Sequence, residues 1–199
     1  MSFFLGGSVE TDGQGTLLAT SHCLLAPNRN QPMTLSDIEQ SLKERLGTDH
    51  FLWLDHGFLD GDDTDSHIDT LARFCNPETI CYVAPPKRND PHFEELVKME
   101  EQLQSFRNKI SQPYRLVPLP FADAIYDDQG NRLPATYANF LITNEKVLVP
   151  TYDSGKDTLA LEIISGIFEN RQIVGVDCTA LIKQHGSLHC ISMQIPEFN

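Results

Sequence analysis

Cys190 follows His189 directly in the segment HGSLHCISMQ (185–194), behind a Gly186-Ser187 pair and nine residues from the C-terminus. A cysteine attacks carbon only as its thiolate. That anion needs a neighbouring cation, a helix N-terminus or a bound cationic substrate to lower its cost. In an extended segment His189 would face away from Cys190, so a proton carrier has to come from elsewhere in the chain. The same spacing is compatible with a packed Cys190, because cysteine is among the most buried residue types.

A second concentration of functional residue types is LDGDDTDSHIDTLARF (59–74), where five aspartates and a histidine fall within ten residues. Like charges this dense are costly unless a cation binds or water reaches them. A calcium loop fails on pattern: counted from Asp60, Asp65 stands at the glycine position and Leu71 at the bidentate glutamate position. If 66–69 is extended, His67 and Asp69 project from one face, as do Asp63 and Asp65. A histidine beside a carboxylate supplies a proton carrier and an anionic anchor, which suits acid/base work on a cation. Some of these acids could instead cap a helix running into IDTLARF. His185, His189, Cys190 and Cys178 are soft ligands but lack the usual tetrahedral spacing, so no metal is expected.

These residues must be positioned by regular elements. Runs at 15–20, 79–85, 114–120, 139–150 and 171–177 are rich in β-branched residues and bounded by Gly, Pro, Asn or Asp, as strands are. Thr143 to Lys146 reads as a hairpin turn inside the fourth. Three helices are expected between them. The first opens on a Ser36–Glu39 capping box, carries Ile38, Leu42 and Leu46, and ends at Gly47. The second spans about 91–111 with Phe93, Leu96, Val97, Leu103 and Phe106, and the third spans 157–168. Strands alternating with helices, plus a hairpin, predict an α/β fold with mixed sheets. No repeat is visible at the level of residue identity. Trp53, Phe140 and Met193 read as core, and Arg73 as a surface residue or a partner of the preceding aspartates.

The 199 residues suffice for one domain. No apolar run approaches a membrane span, and the N-terminus carries no secretion pattern, so a cytoplasmic protein is expected. Five cysteines, an odd count without a C-x-x-C pair, argue against a disulfide framework. A net charge of -13 without a basic run excludes nucleic acid and anionic membranes as natural partners, and suits a cationic ligand.

Four blocks carry a resemblance: GGSVETDGQGTLLATSHCLL (6–25) with NRN (28–30), DDTDSHIDTLARF (62–74), RLPATYANFLITNEKVLVPTY (132–152) and VGVDCTALIKQHGSLHCISMQIP (174–196). In their order and content the chain resembles the agmatine deiminase and bacterial-type peptidylarginine deiminase family of the guanidino-modifying pentein superfamily. The resemblance implies ββαβ modules around a pseudo-fivefold axis with a central site, and a propeller that is incomplete in this chain. It implies that Cys190 attacks a guanidinium carbon, that His67 moves protons and that Asp69 holds the nitrogens, with no metal or organic cofactor. Asp65, Gly186, Ser187 and Asn139 are expected to bind substrate, agmatine foremost, with free or peptidyl arginine as alternatives. Two departures stand out. Leu5 occupies the place of a family glutamate, and the family's N-terminal portion is not represented. A guanidino-binding or assembly protein without turnover, or a cysteine hydrolase of esters or amides, are the rival readings. A part-propeller exposes sheet edges, so association with a second copy or with an N-terminal half is expected.

Overall fold

A computed structural model describes residues 6–195, so Leu5 lies outside the described residues. The elements in chain order are β1 (Glu10–Thr11), β2 (Thr16–Thr20), α1 (Ser21–Leu24), α2 (Leu35–Leu46), β3 (His50–Leu54), β4 (Ala72–Asn76), β5 (Thr79–Val83), α3 (Phe93–Ser105), β6 (Arg115–Leu119), β7 (Leu141–Ile142), β8 (Lys146–Thr151), α4 (Asp157–Ser165) and β9 (Gln172–Asp177). Short 3₁₀ turns lie at Gly6–Ser8, Ile68–Thr70 and Ile182–Gln184.

The pairing repeats three times. In β1-β2-β3, β4-β5-β6 and β7-β8-β9 the first pair is antiparallel and the second parallel. A parallel neighbour cannot be reached by a hairpin, so each parallel pair needs a crossover, and helical chain supplies it. Three ββαβ units result, alike in topology although no identity repeat marks them. One apolar cluster around Leu17, Ala19, Cys23, Leu24, Ile38 and Leu42 fixes α2 on the first sheet. A larger one joins all three units through residues such as Leu18, Leu54, Leu71, Ile80, Phe140 and Val149.

Local chemistry moves several expected boundaries. α2 starts earlier than Ser36: Thr34 is the N-cap, its hydroxyl accepting from the Asp37 N–H while the Asp37 carboxylate accepts from the Thr34 N–H. Gly47 closes the helix in the left-handed region at φ 68°, where a side chain would be strained, and donates its N–H to Lys43 O. α3 stops at Ser105 rather than 111, because Asn108 folds the chain back by accepting from the Ile110 and Gln112 N–H groups. The Thr143–Lys146 turn forms as expected, with Thr143 donating its N–H to Lys146 O at 2.8 Å. IDTLARF is not a helix. It is one 3₁₀ turn followed by β4.

Two core assignments change as well. Met193 is 85% exposed, and Arg73 is buried, not on the surface. The Arg73 Nε lies 2.8 Å from Glu10 Oε2 in an ion pair too bent for a hydrogen bond, and its NH1 donates to Phe140 O at 2.7 Å. A β-strand residue beside its partner sheet thus replaces the expected link to the preceding aspartates. Burial raises the Glu10 carboxyl above its ordinary range while Arg73 opposes the rise.

The two capping readings differ in a measurable way. Thr34→Ala should lower unfolding stability by about 1 kcal/mol, whereas Ser36→Ala should change it by less than about 0.5 kcal/mol, both read from urea midpoints. The reverse order would place the helix start at Ser36.

Candidate active site

The loop before Ile68 owes its shape to its own acids. Asp62 accepts N–H groups of Thr64 and Ser66, Arg29 donates to Thr64 O at 2.6 Å, and Thr20 Oγ1 donates to Ser66 O at 2.7 Å. Asp65 and Ser66 both sit in the left-handed region, at φ 62° and 63°. His92, buried, accepts the Asp60 N–H on Nε2 and meets Asp90 through Nδ1 at 2.6 Å. The acidic run is therefore dispersed among separate partners, which removes most of the like-charge cost read from the sequence.

The extended conformation assumed for 66–69 does not occur; His67 instead precedes the 3₁₀ turn that contains Asp69. Both still line one cleft of about 430 Å³. A Cβ placed on Gly7 would meet His67 Nδ1 and Asp69 Oδ2, each at 2.7 Å, so any side chain at position 7 would collide with both. Asp69 is fully buried and His67 nearly so. His67 Nε2 and Asp69 Oδ1 are buried without a hydrogen-bond partner among the described residues. Such groups cost about 1–3 kcal/mol each when left unpaired, and two of them at one cleft mark a place prepared for a ligand.

Cys190 reaches the same cleft from a turn at Leu188–Ile191, not from an extended segment. Ser192 N–H donates to His189 O at 2.9 Å and closes that turn. The Sγ lies 3.8 Å from Asp69 Oδ2 and 3.3 Å from Asn139 Nδ2. The turn also overturns the expectation for His189. Its Nδ1 meets Asp69 Oδ2 at 2.7 Å, so it faces the site beside Cys190.

Asn139 is buried and binds both halves of the cleft. Nδ2 donates to Asp69 O at 3.2 Å, and Oδ1 accepts the N–H groups of His189 at 2.8 Å and Cys190 at 3.3 Å. Ser187 is buried against the Tyr152 hydroxyl at 2.8 Å and is not on the cleft wall, whereas Gly186 is. Asp65, expected to bind substrate, is turned outward and pairs with Arg29 at 3.5 Å. The cleft wall instead includes Asp63, Thr64, Gln184 and His185. Period-two alternation placed Asp63 with Asp65; the left-handed turn separates them.

Electrostatics favour the neutral forms of the Cys190 thiol and the His67 imidazole. Partial removal from water and the Asp69 carboxylate raise the Cys190 thiol above its ordinary value, although the residue still opens onto solvent. Burial lowers His67 below its ordinary value, with Asp69 opposing. A planar cation against Asp69 would cancel the repulsion that holds the proton on sulfur. The arrangement can therefore deliver a sulfur nucleophile, a proton carrier and a carboxylate to one flat cationic group.

A family model described as Porphyromonas-type peptidyl-arginine deiminase matches residues 3–196. A solved structure from Porphyromonas gingivalis, named provisionally as an arginine deiminase, is 55% identical with a TM-score of 0.94, over 96% of this chain and 56% of that one. C. jejuni agmatine deiminase, in a cysteine-to-serine variant with substrate bound, is 39% identical with a TM-score of 0.89, over 96% and 55% respectively. A Yersinia pseudotuberculosis protein named provisionally as an agmatine deiminase is 34% identical over 207 residues, 96% of this chain and 56% of the relative. The chain thus spans just over half the length of the relatives it matches. On these matches the chain, with its pentein fold, belongs to the agmatine deiminase and bacterial-type peptidylarginine deiminase family.

Proposed function

We propose that this chain carries the catalytic cysteine side of a deiminase that converts a guanidino substrate, agmatine foremost, into its ureido product, N-carbamoylputrescine, and ammonia. The observation that carries this reading is the meeting of Cys190 Sγ with Asp69 Oδ2 at 3.8 Å, while Asp69 Oδ1 and His67 Nε2 stay buried and unpaired in the same cleft. Each unpaired group then has a task. Asp69 accepts from the guanidinium nitrogens, and His67 exchanges protons with the nitrogen that leaves.

The steps balance without a metal or organic cofactor. Guanidinium binding to Asp69 lets Cys190 pass its proton to His67 and attack the central carbon. His67 returns that proton to one amino group, which departs as ammonia and leaves a thiouronium on Cys190. His67 next takes a proton from water as the oxygen adds to the same carbon. Collapse breaks the C–S bond, releases the ureido product and restores the thiol, and the substrate's positive charge leaves as ammonium. His189 stays on Asp69 throughout and fixes which oxygen faces the cleft.

The wall of the cleft favours agmatine over free arginine. Among the described residues lining it there is no lysine or arginine to pair with an α-carboxylate, while Asp63 offers a carboxylate for a second cationic end. An arginine inside a peptide also lacks that free carboxylate and is the second reading, in line with the family's description. We also propose that the chain associates, with a second copy or with a separate N-terminal portion. Exposed Ile191, Met193 and Ile195 next to Cys190 support this.

Incubation with agmatine, arginine and a blocked peptidyl arginine, with assay of ureido product and ammonia, tests the substrate. Agmatine should turn over fastest; Cys190→Ala should lower kcat about 10³-fold or more and His67→Ala about 10²- to 10⁴-fold. Tight agmatine binding without turnover would replace the enzyme by a binding protein. Chloroacetamidine should alkylate Cys190 ahead of the other four cysteines. In pH profiles, kcat/KM should climb with pH toward the raised thiol ionisation of the free protein, while the rising limb of kcat should lie at lower pH. Coincident limbs would remove substrate-assisted ionisation. Light scattering after size exclusion should find more than a monomer; a clean folded monomer would end the association proposal.

A further inference from the structure

Away from the cleft, two thiols that the proposed chemistry does not use face each other across the second sheet. Cys75 Sγ lies 3.0 Å from Cys81 Sγ. The ladder of β4 and β5 pairs Phe74 with Ile80 and Asn76 with Thr79, so Cys75 is the extra residue of a bulge and has no cross-strand partner of its own. A bulge re-aims the side chain it carries. Here Cys75 meets Cys81, the residue that the ladder sets opposite Arg73. The pair is asymmetric: Cys75 is partly exposed and Cys81 buried. An attacking thiol at the surface with a second thiol behind it is the arrangement that captures and then resolves a mixed disulfide.

We propose that Cys75 and Cys81 form an oxidisable dithiol, a modification site that closes a disulfide across the β4–β5 hairpin when it meets a small external disulfide. The Cys75 thiolate attacks one sulfur of the external disulfide and releases one thiol, leaving Cys75 in a mixed disulfide. Cys81 then attacks the Cys75 sulfur, releases the second thiol and completes the internal bond. Two protein thiols are oxidised and one external disulfide is reduced to two thiols, so atoms and electrons balance. Closing the bond needs about 1 Å of sulfur movement from the observed 3.0 Å. Arg73 lies in register with Cys81 and pairs with Glu10, so the closed hairpin also fixes the strand that holds this buried ion pair.

Oxidised glutathione is the probe. The folded chain is incubated with it, quenched with iodoacetamide and digested with trypsin; one peptide, residues 74–87, holds both cysteines. That peptide should come out two hydrogens lighter than its reduced form, with neither glutathione nor alkylation, while buried Cys23 and Cys178 remain thiols until unfolding. In Cys81→Ser the same peptide should retain one glutathione on Cys75, and in Cys75→Ser it should stay unmodified. Native-state peptide that keeps a glutathione on Cys75, or in which Cys75 is alkylated or free while Cys81 is still a thiol, would overturn the proposal. The two single variants keep the test independent of turnover, and circular dichroism confirms that each is folded.

Discussion

The side-chain amide of Asn139 is the interaction on which the rest of the site depends. It donates to the backbone of Asp69 and to Cys190 Sγ, and it accepts the backbone N–H groups of His189 and Cys190. One buried amide thereby sets the nucleophile against a carboxylate 121 residues earlier in the chain. An aspartate here could accept but not donate, and a leucine could do neither, so either would leave buried backbone groups unpaired at about 1–3 kcal/mol each. Precision at the sulfur is thus set by backbone hydrogen bonds to a single side chain, with Thr136 and Thr70 tying the same two segments together a turn away.

Charge is handled by distribution. Five aspartates crowd one stretch of sequence, yet Asp62 and Asp65 each have their own local partner, and Asp69 and Asp63 face the cleft. Asp69 is a fully buried carboxylate there, held by His189 on one oxygen, with the other oxygen buried and without a partner among the described residues. The thiol and the imidazole both have their neutral forms favoured by burial.

Much of this was legible from residue order. The hairpin at Thr143–Lys146, the Gly47 stop and strands β2, β5, β6, β8 and β9 follow from turn chemistry and β-branched runs, because those signals are local. β1, β3 and β4 were not, since two residues or five-residue segments such as HFLWL and ARFCN carry too little pattern on their own. His67, Asp69 and Cys190 line one cleft; His189 joins them there and Asp65 does not, for one shared reason. Both readings assumed extended backbone, and both segments are tight turns, where period-two alternation has no meaning. Arg73 was misplaced because its partner Glu10 lies in a different unit, and no spacing rule reaches that far.

The threefold ββαβ arrangement sets an order on how the molecule comes together. Each sheet pairs strands of its own unit, so every sheet can close over a short stretch of chain, whereas the contacts of Asp69 with His189 and Cys190 span most of the polypeptide. Loop-closure entropy rises with the length enclosed, and long-range pairings are the slower to form. The sheets thus enclose short loops and close at lower entropic cost than the cleft, whose geometry depends on how the units sit against one another.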